Sequence, residues 1–412
     1  MPDVSFVNLL VVVAVAVAAP LVVGYLPRLR VPAVVLEIVG GIIIGPSVLG
    51  WVHVDLPVEI LALFGLAFLL FLAGLEIDVH RLRGRLLRFA VLGYLVTLVL
   101  GYGAGVSFTA AGWVSQPLLL AIALSSTSLG LVVPVLKDAR QVHSQVGQSA
   151  LAAASIADFA AIVLLSLFFS SSGGSTGSKV VVLAAFAGFV AMTGLVVSGA
   201  ARSMRLGQVL VRLQDTTAEI RIRCAVLLLV GFTFLAEKFG LESILGAFLA
   251  GAIVGLVDRD SSSHPRFRTK LEAIGYGFLI PVFFVSSGIG LDLTGLLHNP
   301  SALVRVPVFL LTLLVVRGLP ALLGLRANGP QATLALGLLQ ATSLPFIVTV
   351  TEIGVALGKI TPVTAAALVC AGLLSVLIFP LLALGLLRKT RPEPAGPAAA
   401  TTAEPVPEPH LM

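Results

Sequence analysis

Charge and cysteine are what this chain has least of. Of its 412 residues only 11% are charged while 58% are hydrophobic, and the mean hydropathy is +1.08. Soluble domains carry about 25% charged residues, so the scarcity excludes a water-soluble globular protein and leaves a polytopic membrane protein. The two cysteines, Cys224 and Cys370, both sit inside apolar runs, which argues against a disulfide framework and against metal-site spacing. Histidine is sparse too. His53, His80, His143, His264 and His298 read as loop residues and His410 as part of a tail, none at metal spacing, with His143 a weak pH-sensing candidate. Paired intramembrane aspartates, a Ser/His pair and an H-E-x-x-H motif are all missing from the apolar runs, which argues against an intramembrane enzyme. No cofactor motif is present, and no cofactor is expected. The net charge of +6 lies in short loops rather than in a nucleic-acid patch, so no nucleic-acid partner is expected.

What is present is a series of long apolar runs. At about 20 apolar residues per membrane-spanning helix, spans are predicted at 5–26, 31–50, 58–77, 86–111, 117–136, 146–169, 180–200, 221–239, 243–257, 271–291, 302–325, 331–352 and 360–387. The first run follows Asp3, not a basic segment, and reads as a retained span. Assigning alternate loops to one side of the bilayer collects every Lys and Arg there except Lys179, Lys238, Arg305 and Lys359, with Arg317 left inside a span. The basic side is the cytoplasmic one, giving an external N-terminus and a cytoplasmic C-terminus in a cell membrane. Residues 170–178 read as a flexible external linker, and 392–412, rich in Pro, Ala and Glu, as a disordered cytoplasmic tail with no regulatory nucleotide-binding domain after it.

One carboxylate stands apart. Asp158 occupies the middle of the otherwise uncharged run 152–169, where an aspartate at bilayer depth costs roughly 2.5–3.5 kcal/mol and therefore lines a cavity or an ion path. Ala152, Ala153, Ala154, Ala157, Ala160 and Ala161 form a small-residue collar that lets neighbouring helices approach. Ser155 lies one turn earlier on the same face and offers an oxygen ligand. A carboxylate that only hydrogen-bonds a neighbouring helix is the competing reading. Arg317 is either a charge partner for an acid or a residue that snorkels to the cytoplasmic surface. Glu37 and Glu76 read as structural acids at or near span ends, and Pro46 and Pro281 as kinks.

The two halves of the chain resemble each other. Residues 71–79 match the segment running to Leu293 at an offset of 214, pairing Gly74 with Gly288. Residues 125–135 match 340–350 at 215, and Gly41 and Gly45 match Gly251 and Gly255 at 210. Three ordered matches argue for a duplicated unit. The repeat distance is seven spans, an odd number, so the copies are inverted: about 5–169 and 221–387, with 180–200 as connector. Ser, Thr, Gly and Pro concentrate at matching positions of spans five and twelve, which predicts that both helices are broken there, with Thr127, Ser128, Thr342 and Ser343 at the breaks.

These residues together resemble the monovalent cation:proton antiporter-2 family of Kef-type exchangers. The marks are VPAVVLEIVGGIIIGPSVLG (31–50), FLLFLAGLEID (68–78), ALSSTSLGLVVPVLKD (123–138), the Asp158 span, LGAFLAGAIVG (245–255) and PVFFVSSGIGLDL (281–293). The resemblance implies an all-α polytopic membrane protein of about 13 spans, with an inverted repeat and two discontinuous crossing helices. It implies a homodimerising scaffold domain, a core domain holding the crossing, and an aspartate, here Asp158, that carries ion and proton alternately. The expected partners are Na⁺ or K⁺, H⁺ and the lipid bilayer, and the expected role is pH homeostasis. Ser155, Thr127 and Ser128 are candidates to complete an alkali-cation shell around Asp158. Ala157 replaces the Asn, Gln or second Asp often found beside that aspartate, and 283–288 lacks the lysine of some electrogenic members. A sole titrating carrier predicts electroneutral exchange. A sodium-coupled organic-solute transporter of the same architecture is the alternative.

Overall fold

The computed structural model describes residues 6–25, 32–76, 84–129, 132–133, 136, 141–142, 144–169, 176–201, 219–257 and 265–389. The tail expected at 392–412, residues 170–175 of the linker expected at 170–178, and His80, His143, His264 and His410 lie outside them; residues 176–178 of that linker are already helix. The regular structure of the described residues is all helical, without a strand. In order they form α1 (Val7–Tyr25), α2 (Ala33–Ile44), α3 (Leu56–Leu75), α4 (Gly84–Ala110), α5 (Pro117–Ser125), α6 (Gln145–Phe169), α7 (Thr176–Ala201), α8 (Ile220–Lys238) and α9 (Ser243–Val257). Next come α10 (Pro265–Ile274), a π turn (Gly275–Leu279), α11 (Ile280–Ile289), α12 (Leu293–Leu297), α13 (Pro300–Gly318), a 3₁₀ stretch (Leu319–Gly324) and α14 (Leu325–Asn328). Last are α15 (Pro330–Gln340), α16 (Pro345–Ala356) and α17 (Pro362–Lys389).

Among the described residues, eight helical stretches are long and apolar enough to cross a membrane, and three shorter apolar helices accompany them. The α8 helix occupies the predicted 221–239 run but carries Arg221, Arg223, Glu237 and Lys238 at its ends and stands outside both groups. The predicted 31–50 run is only half helix. At Gly45 the backbone turns extended (φ −74°, ψ 178°) and residues 46–49 form turns, so Pro46 lies past the helix end and does not kink it.

The helices pack as two bundles. One holds α1, α2, α3, α8, α9 and α11; the other holds α4, α5, α6, α13, α15, α16 and α17, and α7 touches both α6 and α9. The first bundle is drawn tight by glycines. A Cβ on Gly41 would overlap the carbonyl oxygen of Val285 across α2 and α11, and one on Gly288 would overlap that of Ile38. At α3 and α9 the same pattern recurs: Gly251 abuts the carbonyl of Phe71, and Gly74 that of Phe248. Gly41 and Ile38 precede Gly251 and Phe248 by 210 residues, while Phe71 and Gly74 precede Val285 and Gly288 by 214. Those are the offsets of the sequence repeat, so matched residues make matched crossings. Only glycine lets backbones approach this closely.

Candidate ion site

The second bundle holds a crossing of broken helices. The α5 helix stops at Ser125, Ser126 is extended (φ −80°, ψ 159°), and helix resumes at Leu129. Opposite it, α15 stops at Gln340 and α16 restarts at Pro345, whose missing N–H suits a first helical turn. Both breaks fall where the serine, threonine, glycine and proline pattern places them.

Unwound backbone inside a bilayer needs internal partners, and here each strand of the crossing supplies them to the other. Ser128 N–H donates to Thr342 O (2.9 Å), the hydroxyls of Ser126 and Ser343 lie 2.8 Å apart, and Thr127 Oγ1 donates to Gln340 O (2.6 Å). Ser375 of α17 steadies the far strand, accepting from Ser343 N–H (3.2 Å). Ser125 Oγ meets the hydroxyl of Tyr94, on α4, at 3.0 Å.

Asp158 is brought to this crossing by α6. Its buried Ala152, Ala153, Ala154, Ala157 and Ala161 let α6 pack closely on α4, α5 and α15. The Thr127 N–H approaches Asp158 Oδ1 at 3.4 Å, and the Leu129 N–H also faces the carboxylate. Two backbone N–H groups at the break are therefore aimed at Asp158, an arrangement that favours negative charge there. Asp158 itself is part-buried, and Ser155 is buried one turn before it.

Arg317 settles one alternative left by the sequence. The side chain is 2% exposed, so it does not snorkel to the membrane surface. Its Nε donates to Thr127 Oγ1 (3.0 Å) and Gln340 O (3.3 Å), its Nη1 to Thr97 Oγ1 (3.3 Å), and its Nη2 also meets Thr127 Oγ1. A cation thus sits on a terminal carbonyl of α15, where the helix dipole favours it. No ion pair joins Arg317 to Asp158; Thr127 stands between them.

The expected ligand set divides accordingly. The Thr127 hydroxyl is occupied by Gln340 O and Arg317, and what it turns to Asp158 is its backbone N–H. The Thr342 hydroxyl donates back to Leu338 O (3.1 Å), and Ser343 is spent on Ser126. The side chains of Thr127 and Ser343 hold the crossing together and that of Thr342 turns back on its own helix, while Ser155 and Ser128 carry no side-chain hydrogen bond to the crossing among the described residues.

Sequence reasoning missed Tyr94, Thr97 and the part played by Glu352. The first two show a signal only in retrospect, as polar residues one turn apart in the apolar run of α4. The predicted 331–352 run ends at Glu352, but α16 continues to Ala356. The acid stands inside the helix, at a cavity of about 410 Å³ between α3, α11, α16 and α17.

Known proteins share this chain's pattern. A family model described as "sodium/hydrogen exchanger, transmembrane" matches residues 12–387. A putative Na⁺/H⁺ antiporter, YjbQ of Bacillus subtilis, is 32% identical over 400 residues, covering 92% of this chain and 63% of the relative. The chain thus spans less than two thirds of that protein's length. A Na⁺/H⁺ antiporter of Enterococcus hirae is 31% identical over 272 residues, which is 64% of this chain and 68% of that one. Among solved structures, the sodium proton antiporter MjNhaP1 of Methanocaldococcus jannaschii shares the fold, with a TM-score of 0.65 at 22% identity over 91% of this chain and 97% of its own. With a family model covering nearly the whole helical portion, the chain belongs to the sodium/hydrogen exchanger transmembrane family of transporters.

Proposed function

We propose that this protein exchanges a monovalent cation, Na⁺ or K⁺, for H⁺ by alternating access, with Asp158 as the shared carrier. The observation that carries the reading is the Asp158 carboxylate at the crossing of two broken helices, faced by the N–H groups of Thr127 and Leu129. A carboxylate in a cramped, poorly hydrated site binds either a proton or an alkali ion, and each expels the other. The hydroxyls of Ser155 and Ser128 are the oxygens left to share the cation. Asp158 with a proton and Asp158 with Na⁺ or K⁺ carry the same charge. Arg317 stays protonated at physiological pH, so each turnover moves no net charge and exchange is electroneutral.

The glycine crossings that recur at offsets of 210 and 214 support an inverted duplication, 5–169 and 221–387, joined by the connector around 180–200. In that arrangement the bundle of α1–α3, α8, α9 and α11 is the scaffold and homodimer face, and the bundle bearing the crossing moves against it. The loop charges support an external N-terminus and a cytoplasmic C-terminus in a cell membrane. Purified protein in proteoliposomes, assayed with each alkali ion in turn, tests the function. Dissipation of a pH gradient by Na⁺ or K⁺ is expected, and a gradient untouched by every alkali ion would refute it.

A further inference from the structure

The two bundles are held together mostly by apolar contact, and the few polar links between them fall on one side. In the scaffold, Ser287 sits on α11, which is locked to α2 through Gly41 and Gly288. In the other bundle, Glu352 sits on α16, the second half of a broken helix. Ser287 Oγ donates to Glu352 Oε1 at 2.7 Å. Among the described residues, Ser166 Oγ of α6 also accepts from the Glu242 N–H at the start of α9 (3.2 Å), and Thr294 Oγ1 of α12, which packs on α13 and α17, donates to Ser47 O just after α2 (3.2 Å). In the proposed orientation all three contacts lie on the outer half.

The cavity beside Glu352 explains what this link restrains. It lies between the bundles, and its lining includes the acids Glu59 and Asp292 and the apolar Leu66, Phe283 and Val348. Those last three are buried, with exposures of 9%, 2% and 1%. Neither Asp158 nor the crossing residues line it. In the proposed orientation the cavity is an outer vestibule, with these buried apolar residues as its floor. Movement of α16 away from α11 would open that floor, and the same movement must break the Ser287–Glu352 hydrogen bond.

We propose that the Ser287–Glu352 hydrogen bond is the outer latch of this transporter, joining the scaffold to the moving bundle while the external path to Asp158 is shut. This rests on the alternating-access reading above. The Ser166–Glu242 contact reinforces it from the opposite flank of the moving bundle. A carboxylate in a span is costly unless it has a task, and Glu352 has no part in the crossing itself.

The test uses a full chain carrying Cys224→Ser, Cys370→Ser and Val348→Cys, labelled in intact cells by a membrane-impermeant maleimide. Losing one hydrogen bond of this kind shifts a two-state equilibrium roughly three- to tenfold. Ser287→Ala and Glu352→Ala should therefore each speed external labelling of position 348 by that factor, and Ser166→Ala should do so in the same direction. Glu352→Gln keeps an acceptor oxygen and should label within about twofold of the parent. Combining Ser287→Ala with Glu352→Ala should add little to either alone, as expected of two halves of one bond. Unchanged labelling in both alanine variants would overturn the latch, and so would Glu352→Gln labelling as fast as Glu352→Ala. Labelling needs no ion gradient. A chain whose labelling responds but which exchanges no cation would sink the exchange reading alone, and a chain that exchanges with unresponsive labelling would sink the latch alone.

Discussion

Thr127 is the residue on which the buried guanidinium depends. Its hydroxyl accepts from Arg317 and donates to Gln340 O, while its N–H turns to Asp158. Thr127→Val keeps the shape and removes the hydroxyl, leaving buried donors of a charged group short of a partner. The expected loss is about 1.5–3 kcal/mol, read as a lowered Tm in detergent. Thr127→Ser should recover most of it. Asp158→Asn should abolish exchange with stability changed by less than about 1 kcal/mol, because the amide fills the same space and cannot cycle a proton. Asp158 was legible in the sequence because a lone carboxylate in an apolar run is too costly to sit idle against lipid. The company it keeps was not. Arg317 and Thr127 are 190 residues apart and Ser287 and Glu352 are 65 apart, and no spacing rule links positions that meet only through tertiary packing.

At the scale of elements, the glycine crossings make a paired prediction. Gly41→Ala and Gly251→Ala each drive a methyl into a backbone carbonyl on the facing helix. Backbone cannot yield as a side chain does, and each should cost about 1–3 kcal/mol. Gly231→Ala in α8 meets nothing within 4 Å. It should be neutral or stabilising by up to about 1 kcal/mol. Thermal unfolding of the three variants decides it, and equal effects at Gly41 and Gly231 would contradict the close-approach account. The glycine matches and both helix breaks were readable from the sequence, since Gly, Ser, Thr and Pro mark where a helix is close-packed or interrupted. Helix ends were less so. The predicted 31–50 run stops as helix at Ile44, because an extended Gly45 and Pro46 override apolar composition.

For the whole molecule, the proposed sole titrating carrier predicts electroneutral exchange between two sides shut in turn. In proteoliposomes loaded for Na⁺/H⁺ exchange, an imposed K⁺/valinomycin potential should leave the rate unchanged. A rate that rises or falls steeply with voltage would mean that a second group titrates in the path, with Glu37 and Glu352 the first to replace. Proton release on cation binding tests the shared carrier most directly, and it needs no membrane. Purified protein in weakly buffered detergent near neutral pH is mixed with NaCl, or with KCl, and the proton released is counted. One carrier that binds either passenger predicts release of up to one proton per protomer, saturating with the cation, and none from Asp158→Asn. Undiminished release from that variant, or no release from a wild-type protein that exchanges the same ion in proteoliposomes, would contradict it.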